Sequence, residues 1–101
     1  IQAGLVKSTE TPMEMMELSA ETIALTESLL GKFNTASASD LGVGALTLRT
    51  AVQGAWLNVL INIGSLKDKE LAESYRAKGQ ALVDQVVAAA DRVYAEVLTL
   101  V

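Results

Sequence analysis

The 101-residue sequence contains no cysteine and no histidine. Without thiols the chain can form no disulfide and offers no cysteine nucleophile. Without imidazole it lacks the most common general base and the nitrogen ligands of zinc sites. Any chemistry must therefore use carboxylates, amides, hydroxyls or lysine amines, and we expect no metal site. The absence of cysteine also fits a reducing cytoplasm, which is the location we predict.

Aromatic and basic residues are scarce as well. Only 4% of the residues are aromatic while 50% are apolar, so a core must be built from aliphatic side chains and methionine. A chain of this length supports one domain at most. Eight basic residues are scattered among twelve acidic ones, for a net charge of −4, which provides no basic surface for a phosphate backbone. We therefore expect no nucleic-acid partner.

The first third of the sequence predicts two helical segments. Ile1 to Lys7 has apolar residues at helical spacing and starts in mid-pattern, so we interpret it as the end of a helix that begins upstream of a fragment. Thr11, Pro12 and Glu14 form a capping box with proline at the first helical position. We expect a helix to begin or kink there and a one-sided amphipathic helix to extend to Phe33, with an acidic outer face.

The remaining sequence predicts two long helices. Residues 34–39, reading NTASAS, are typical of a loop, after which Ser39 or Asp40 can cap a helix that ends near Ile63 at a left-handed Gly64. Residues 65–67 form a turn. Asp68 can cap a last helix to about Leu100, locally weakened by Gly79, with an apolar seam at Leu71, Tyr75, Leu82, Val86, Val93 and Val97.

The predicted fold is all-α, an antiparallel helical bundle of three main helices plus a short N-terminal helical piece, and part of a larger all-helical domain. The 17 uncharged residues between Arg49 and Lys67 raise the possibility of a membrane span. We reject it because polar residues interrupt the run and the other helices are amphipathic.

The middle helix, residues 40–63, is predicted to be buried on nearly every side. At 100° per residue, small and polar residues form one stripe between apolar borders: Asp40, Gly44, Thr47, Ala51, Ala55, Asn58 and Asn62. We expect the stripe to lie inside the protein. Two interpretations remain open: close helix packing with asparagines that cap neighbouring backbone, or a ligand pocket with convergent polar groups.

Other motifs carry no specific chemistry. The pair Gly42 and Gly44 lacks the third glycine and the preceding strand of a dinucleotide site. The glutamates Glu14, Glu17 and Glu21 could belong to a carboxylate-bridged metal helix, but the histidines of such a site are missing, so we interpret them as a solvated face.

Residues 36–68 resemble the second half of the formiminotetrahydrofolate cyclodeaminase and methenyltetrahydrofolate cyclohydrolase family. Two motifs carry the resemblance, Ser-Asp-Leu-Gly-Val at residues 39–43 and Asn-Val-Leu-Ile-Asn at residues 58–62. The family is all-α and usually dimeric, and its domain is about twice as long. Residues 1–101 would then be the C-terminal half of such a domain.

The resemblance implies an enzyme of one-carbon metabolism. Members either close 5-formiminotetrahydrofolate to 5,10-methenyltetrahydrofolate with loss of ammonia, or hydrolyse the methenyl compound. It further implies a tetrahydrofolate derivative as substrate without a prosthetic group, a homodimer, and a catalytic residue upstream of this chain, in the missing N-terminal half. The candidate substrate-binding residues are Asp40, Asn58, Asn62 and, more weakly, Ser39, although Asp40 can equally serve only as a helix cap. The alternative is a non-catalytic helical interaction or scaffold domain that dimerises through its long helices.

Overall fold

Three long helices make up the computed structural model, which describes residues 1–32 and 35–101, without the side chain of Thr35. They are α1 (Gln2–Ser28), α2 (Thr35–Gly64) and α3 (Lys69–Leu100). The bundle measures 50 × 17 × 16 Å. The described residues contain no strand, so the predicted all-α class is confirmed. Among them, no helix combines the length and hydropathy that a bilayer crossing requires.

The first helix is one continuous element, so the predicted separate N-terminal piece and the capping box at Thr11 are wrong. Pro12 lies inside α1 and is buried. The helix ends at Ser28, before Gly31, whose positive φ of 81° is the left-handed conformation that glycine adopts at low cost. Phe33 and Asn34, assigned above to a helix end and a loop start, lie outside the described residues.

Helix α2 begins earlier than predicted, and it ends within one residue of the predicted Ile63 but in a different conformation. It starts at Thr35, so Ser39 and Asp40 lie inside the helix and neither caps it. Gly64 is still helical and has no positive φ, so the predicted left-handed stop is wrong. The turn at residues 65–67 is confirmed. Buried Ala38 and Ala45 anchor the first turns of α2 to the core, because packing outweighs the weak helix preference of the NTASAS segment.

Helix α3 follows the prediction closely. The Asp68 carboxylate accepts a hydrogen bond from the backbone N–H of Leu71 at 3.0 Å, which is the predicted N-cap. On the apolar seam, Val86, Val93 and Val97 are buried and the remaining three residues pack against the core in part. The helix continues to Leu100 as expected.

Small aliphatic residues and a few larger side chains fill the space between the helices. Alanines and valines from all three helices are buried, and so are two hydroxyl residues, Thr9 and Ser19. Each of these hydroxyls donates to the carbonyl four residues earlier, at 2.7 and 2.8 Å, so neither is left unpaired. The largest fully buried apolar side chains are Met16, Ile23, Val52, Val59, Ile63, Leu66, Val86 and Val93.

Polar contacts fix how the helices are placed against one another. The Gln2 side chain accepts from the N–H of Lys67 at 2.8 Å and donates to the Ser65 carbonyl at 3.4 Å, which ties the start of α1 to the α2–α3 turn. Glu17 pairs with Lys78 at 2.6 Å, and Arg49 on α2 pairs with Asp91 on α3 at 3.1 Å. Helices α1 and α2 are therefore antiparallel, as are α2 and α3.

Gly79, the residue predicted to weaken α3 locally, lies where α3 packs against Trp56 of α2. A Cβ at residue 79 would lie 2.1 Å from Cζ3 of Trp56, which is far inside van der Waals contact. We expect Gly79→Ala to lower the free energy of unfolding by about 1–3 kcal/mol, because the indole must shift within a packed interface. Chemical denaturation measures this loss.

The matched control is Gly54→Ala, since nothing lies within 4 Å of the position of its Cβ. That change is expected to stabilise the chain by roughly 0.5–1 kcal/mol through helix propensity alone. An equal loss from Gly79→Ala in a Trp56→Leu background would contradict the proposed clash.

A second prediction concerns the ion pair between Glu27 on α1 and Arg92 on α3. The Arg92 guanidinium donates to both carboxylate oxygens of Glu27, with Nη2 to Oε1 at 2.9 Å. These hydrogen bonds lower the pKa of Glu27 below its ordinary value of 4.5. A lowered pKa means that the pair stabilises the fold above pH 4.5 and loses this contribution as the pH falls through the lowered value.

Thermal unfolding followed between neutral pH and pH 3 should therefore show a steeper loss of stability in the parent than in Glu27→Gln. The glutamine variant cannot titrate at this position. Identical pH profiles would show that the ion pair contributes nothing to the acid sensitivity of the fold.

Candidate functional site

Pro12 creates an unusual requirement in the middle of α1. Proline has no backbone N–H, so the carbonyl four residues earlier, that of Ser8, receives no helical hydrogen bond from it. Proline in a helix interior also costs about 3 kcal/mol relative to alanine. The free carbonyl needs a donor from another element or from water.

Asn62 supplies that donor from α2. Its Nδ2 donates to the Ser8 carbonyl oxygen at 3.0 Å. The contact is possible because α1 and α2 are antiparallel, which places the last turn of α2 beside the second turn of α1. The half-buried Asn62 is therefore a backbone-capping residue, as one of the two interpretations of the polar stripe predicted.

A groove of about 420 Å³ lies between α1 and α2 at this hydrogen bond. Met15 and Pro12 supply its apolar surface, and hydroxyl and amide residues supply its polar groups. The structure thus brings two predicted residues, Asn58 and Asn62, into one groove. Its lining is Ser8, Thr11, Pro12, Met15, Asn58 and Asn62.

Polar groups in the groove are largely unengaged. Hydroxyls elsewhere on α1, at Thr9, Ser19, Thr22, Thr26 and Ser28, each donate to a carbonyl of the same helix. Within the described part of the chain, the side chains of Ser8, Thr11 and Asn58 have no such partner. Because these groups converge on one groove, they are available to a bound molecule.

The chemistry of the groove is binding rather than catalysis. All six lining residues are uncharged. Amides and hydroxyls can recognise the donor and acceptor edge of a neutral heterocycle, and Met15 and Pro12 offer a surface for its flat face. None of them titrates near neutral pH, so proton transfer would require a group from outside the groove.

Ser39 and Asp40 lie elsewhere. Both are exposed near the start of α2, and Asp40 precedes Asn58 by 18 residues, which is about 27 Å along the helix. Within one chain, Asp40 and the groove therefore do not contact the same ring system. The four predicted residues share a helix but are divided between its two ends.

The outer face of α2 contradicts the expectation of a helix buried on nearly every side. Val43, Leu46, Leu57 and Ile61 are 45–71% exposed. The polar stripe is not inside either, since Asp40, Gly44, Thr47 and Asn58 are exposed and only Ala55 is fully buried. The apolar residues on one side of the stripe do face the other two helices, namely Leu41, Leu48, Val52, Val59 and Ile63.

A shallow apolar hollow marks the same outer face. It encloses about 420 Å³ and is separate from the groove. Its lining is Val43, Leu46, Thr47, Thr50 and Ala51. Elsewhere in residues 1–32 and 35–101 there is no cluster of three carboxylate, histidine or cysteine side chains that could hold a metal ion.

The α1 side of the groove was missed by sequence reasoning. Ser8, Thr11, Pro12 and Met15 were not candidates, because Pro12 was interpreted as the first residue of a helix rather than an interior one. The available signal was the uninterrupted helical pattern on both sides of Pro12, which implies an unpaired carbonyl at Ser8 and thus a donor from another helix.

Comparison with known proteins identifies the family of the chain. The formiminotransferase-cyclodeaminase family profile matches residues 1–81. The chain is similar to a methenyltetrahydrofolate cyclohydrolase of Methylorubrum extorquens, with 31% identity over 94 residues, which is 93% of this chain and 45% of that protein. It is also similar to the formimidoyltransferase-cyclodeaminases of Rattus norvegicus, at 31% identity, and Sus scrofa, at 32%, each over 85 residues that cover 84% of this chain and 16% of the relative.

The chain thus spans less than half the length of these relatives. The matched region contains the whole of α1 and α2, the two helices that line the groove. Because the family profile matches most of the chain, the chain belongs to the formiminotransferase-cyclodeaminase family.

Proposed function

We propose that this chain is the C-terminal half of a folate enzyme of one-carbon metabolism and that the groove between α1 and α2 binds the pterin ring of a tetrahydrofolate derivative. The observation that carries the proposal is the family match across the residues that build the groove. A pterin is a flat ring with hydrogen-bond donors and acceptors along one edge. Asn58, Asn62 and Thr11 match such an edge, and Met15 and Pro12 match its face.

The reaction we propose acts on the carbon between N5 and N10 of the folate. A cyclodeaminase closes 5-formiminotetrahydrofolate to 5,10-methenyltetrahydrofolate and expels ammonia, whereas a cyclohydrolase adds water to the methenyl cation. Both reactions pass through a cationic, amidinium-like carbon, which a carboxylate stabilises. Neither reaction needs a prosthetic group, in keeping with the side chains available here.

Asp40 is the carboxylate that we assign to substrate binding, with Ser39 beside it. Since Asp40 lies about 27 Å from Asn58 along α2, it would contact the cationic carbon of a folate bound in the groove of a second copy of the chain. The residue that moves protons in the reaction lies outside this chain in our proposal, because the groove contains no titratable group.

We further propose that the uncovered face of α2 packs against the N-terminal half of the domain and that the assembled enzyme is a cytoplasmic homodimer. Four large apolar side chains on this face are exposed, although apolar surface of this kind favours burial. The relatives are long enough to supply a covering layer of helices, since this chain spans only 45% of the bacterial one.

Reconstitution tests the proposed activity. The chain is combined with a polypeptide corresponding to the N-terminal part of the bacterial relative, and the absorbance of the methenyl group is followed with 5-formiminotetrahydrofolate and with 5,10-methenyltetrahydrofolate. We expect turnover of one of the two. Absence of turnover of both by a folded assembly would rule out the enzymatic proposal.

Asp40→Asn in that assembly is expected to raise KM by about tenfold, the loss of one charged hydrogen bond or ion pair to the substrate. Asp84→Asn is the matched control, because among the described residues its carboxylate accepts only from Gln80 of its own helix, at 3.0 Å. Equal kinetics for the two variants would remove Asp40 from the substrate site.

The exposed face of α2 favours a second function, that of a non-catalytic helical domain that associates through its long helices. To separate the two, Leu57 and Ile61, 63% and 71% exposed, are both replaced by glutamate. We expect the double variant to lose association with the N-terminal polypeptide in sedimentation, while the unfolding free energy of the chain alone changes by less than about 0.5 kcal/mol.

Leu98→Glu is the control, since Leu98 is 56% exposed on α3. Loss of association together with loss of turnover supports an enzyme that needs its covering half. Loss of association in an assembly that never binds folate supports the scaffold function.

A further inference from the structure

The amide of Asn62 is fixed in one orientation by the backbone of α1. Its Nδ2 donates to the Ser8 carbonyl oxygen, an atom that can only accept. Rotating the amide by 180° would place Oδ1 against this oxygen, so two acceptors would face each other. The assignment of nitrogen and oxygen in Asn62 therefore follows from its partner.

The orientation of the Asn62 amide depends on Pro12, although Pro12 forms no hydrogen bond with this amide. If residue 12 had an N–H, it could donate to the Ser8 carbonyl in the ordinary helical pattern. The carbonyl would then have a partner within α1, and Asn62 would be freer to rotate. Because of Pro12, the Ser8 carbonyl lacks its helical donor, so the hydrogen bond from Asn62 is the one that satisfies it.

The remaining polar atom of this amide is Oδ1, an acceptor with two lone pairs. Asn62 lines the groove, and no described residue donates to its oxygen. Beside it, the amide of Asn58 and the hydroxyl of Thr11 are also unengaged. A bound ring therefore meets a fixed acceptor at Asn62 next to two groups that can rotate.

We propose that Pro12 is a positioning residue that acts through Asn62, holding Oδ1 of this amide as the acceptor for a ring N–H of the ligand. The ligand class is a planar heterocycle with N–H donors on one edge, and the identification of that ring as a pterin rests on the proposed function. The fixed amide selects the donor edge, because an acceptor at the same place would meet an oxygen that cannot turn away.

The test compares Pro12→Ala with the parent chain in two measurements. Urea unfolding should give a higher midpoint for Pro12→Ala, since alanine restores the helical hydrogen bond and the helix propensity. Binding of 5-formyltetrahydrofolate by the chain assembled with the N-terminal polypeptide, followed by equilibrium dialysis, should weaken by about tenfold, because the amide is held less firmly. A purely structural role for Asn62 predicts greater stability with unchanged binding.

A stability cycle tests the hydrogen bond itself. Asn62→Ala should lower the urea midpoint in the parent, where it leaves the Ser8 carbonyl without a donor, and lower it much less in the Pro12→Ala background. Asn58→Ala is the matched control, because Asn58 is exposed in the same groove and should give the same small change in both backgrounds.

The remaining outcomes separate this proposal from the function on which it rests. p-Aminobenzoylglutamate, which has the tail of the folate without its pterin, should show no response to Pro12→Ala. Equal affinity of parent and Pro12→Ala for 5-formyltetrahydrofolate would overturn the positioning role and leave the folate function standing. No binding by the parent assembly, with the stability cycle as expected, would overturn the folate function and the assigned ligand, while the coupling between Pro12 and Asn62 would stand.

Discussion

The hydrogen bond between Asn62 and the Ser8 carbonyl is the contact on which the candidate site depends. It exists because Pro12 cannot complete the helical pattern of α1, and it joins the two helices that form the groove. A proline that destabilises its own helix thereby gives α1 a specific polar contact with α2. The fixed amide of Asn62 and the proposed ring orientation both follow from this one missing N–H.

Part of the fold was predictable because local and tertiary preferences agree. In α3, the carboxylate at Asp68 caps the first turn, and the apolar seam that follows at near-heptad spacing faces the core. Where a capping residue favoured a helix start but apolar packing favoured a longer helix, packing determined the helix boundary. Thr11 and Asp40 are good capping residues, yet the apolar residues before each continue to face the core, so the helices continue through them.

The α2 residues of the groove could be predicted from the sequence, whereas the α1 residues could not. The spacing of Asn58 and Asn62 places them one turn apart on a helix, and the structure indeed brings them into one groove. Their partners on α1 depend on which turn of α1 lies opposite, which no periodicity reveals. The expected burial of the stripe was also wrong, because hydrophobicity shows which residues favour burial but not whether this chain covers them.

Many of the buried core residues are alanines and valines, and such small side chains restrict the sliding of one helix along another less than large side chains do. Hydrogen bonds tolerate no such sliding. Gln2 at the α2–α3 turn and Asn62 at Ser8 both act at the same end of the bundle, so the register of α1 against α2 is set there, where the groove is. The groove residues are therefore aligned by directional contacts in addition to the packing of the apolar interior.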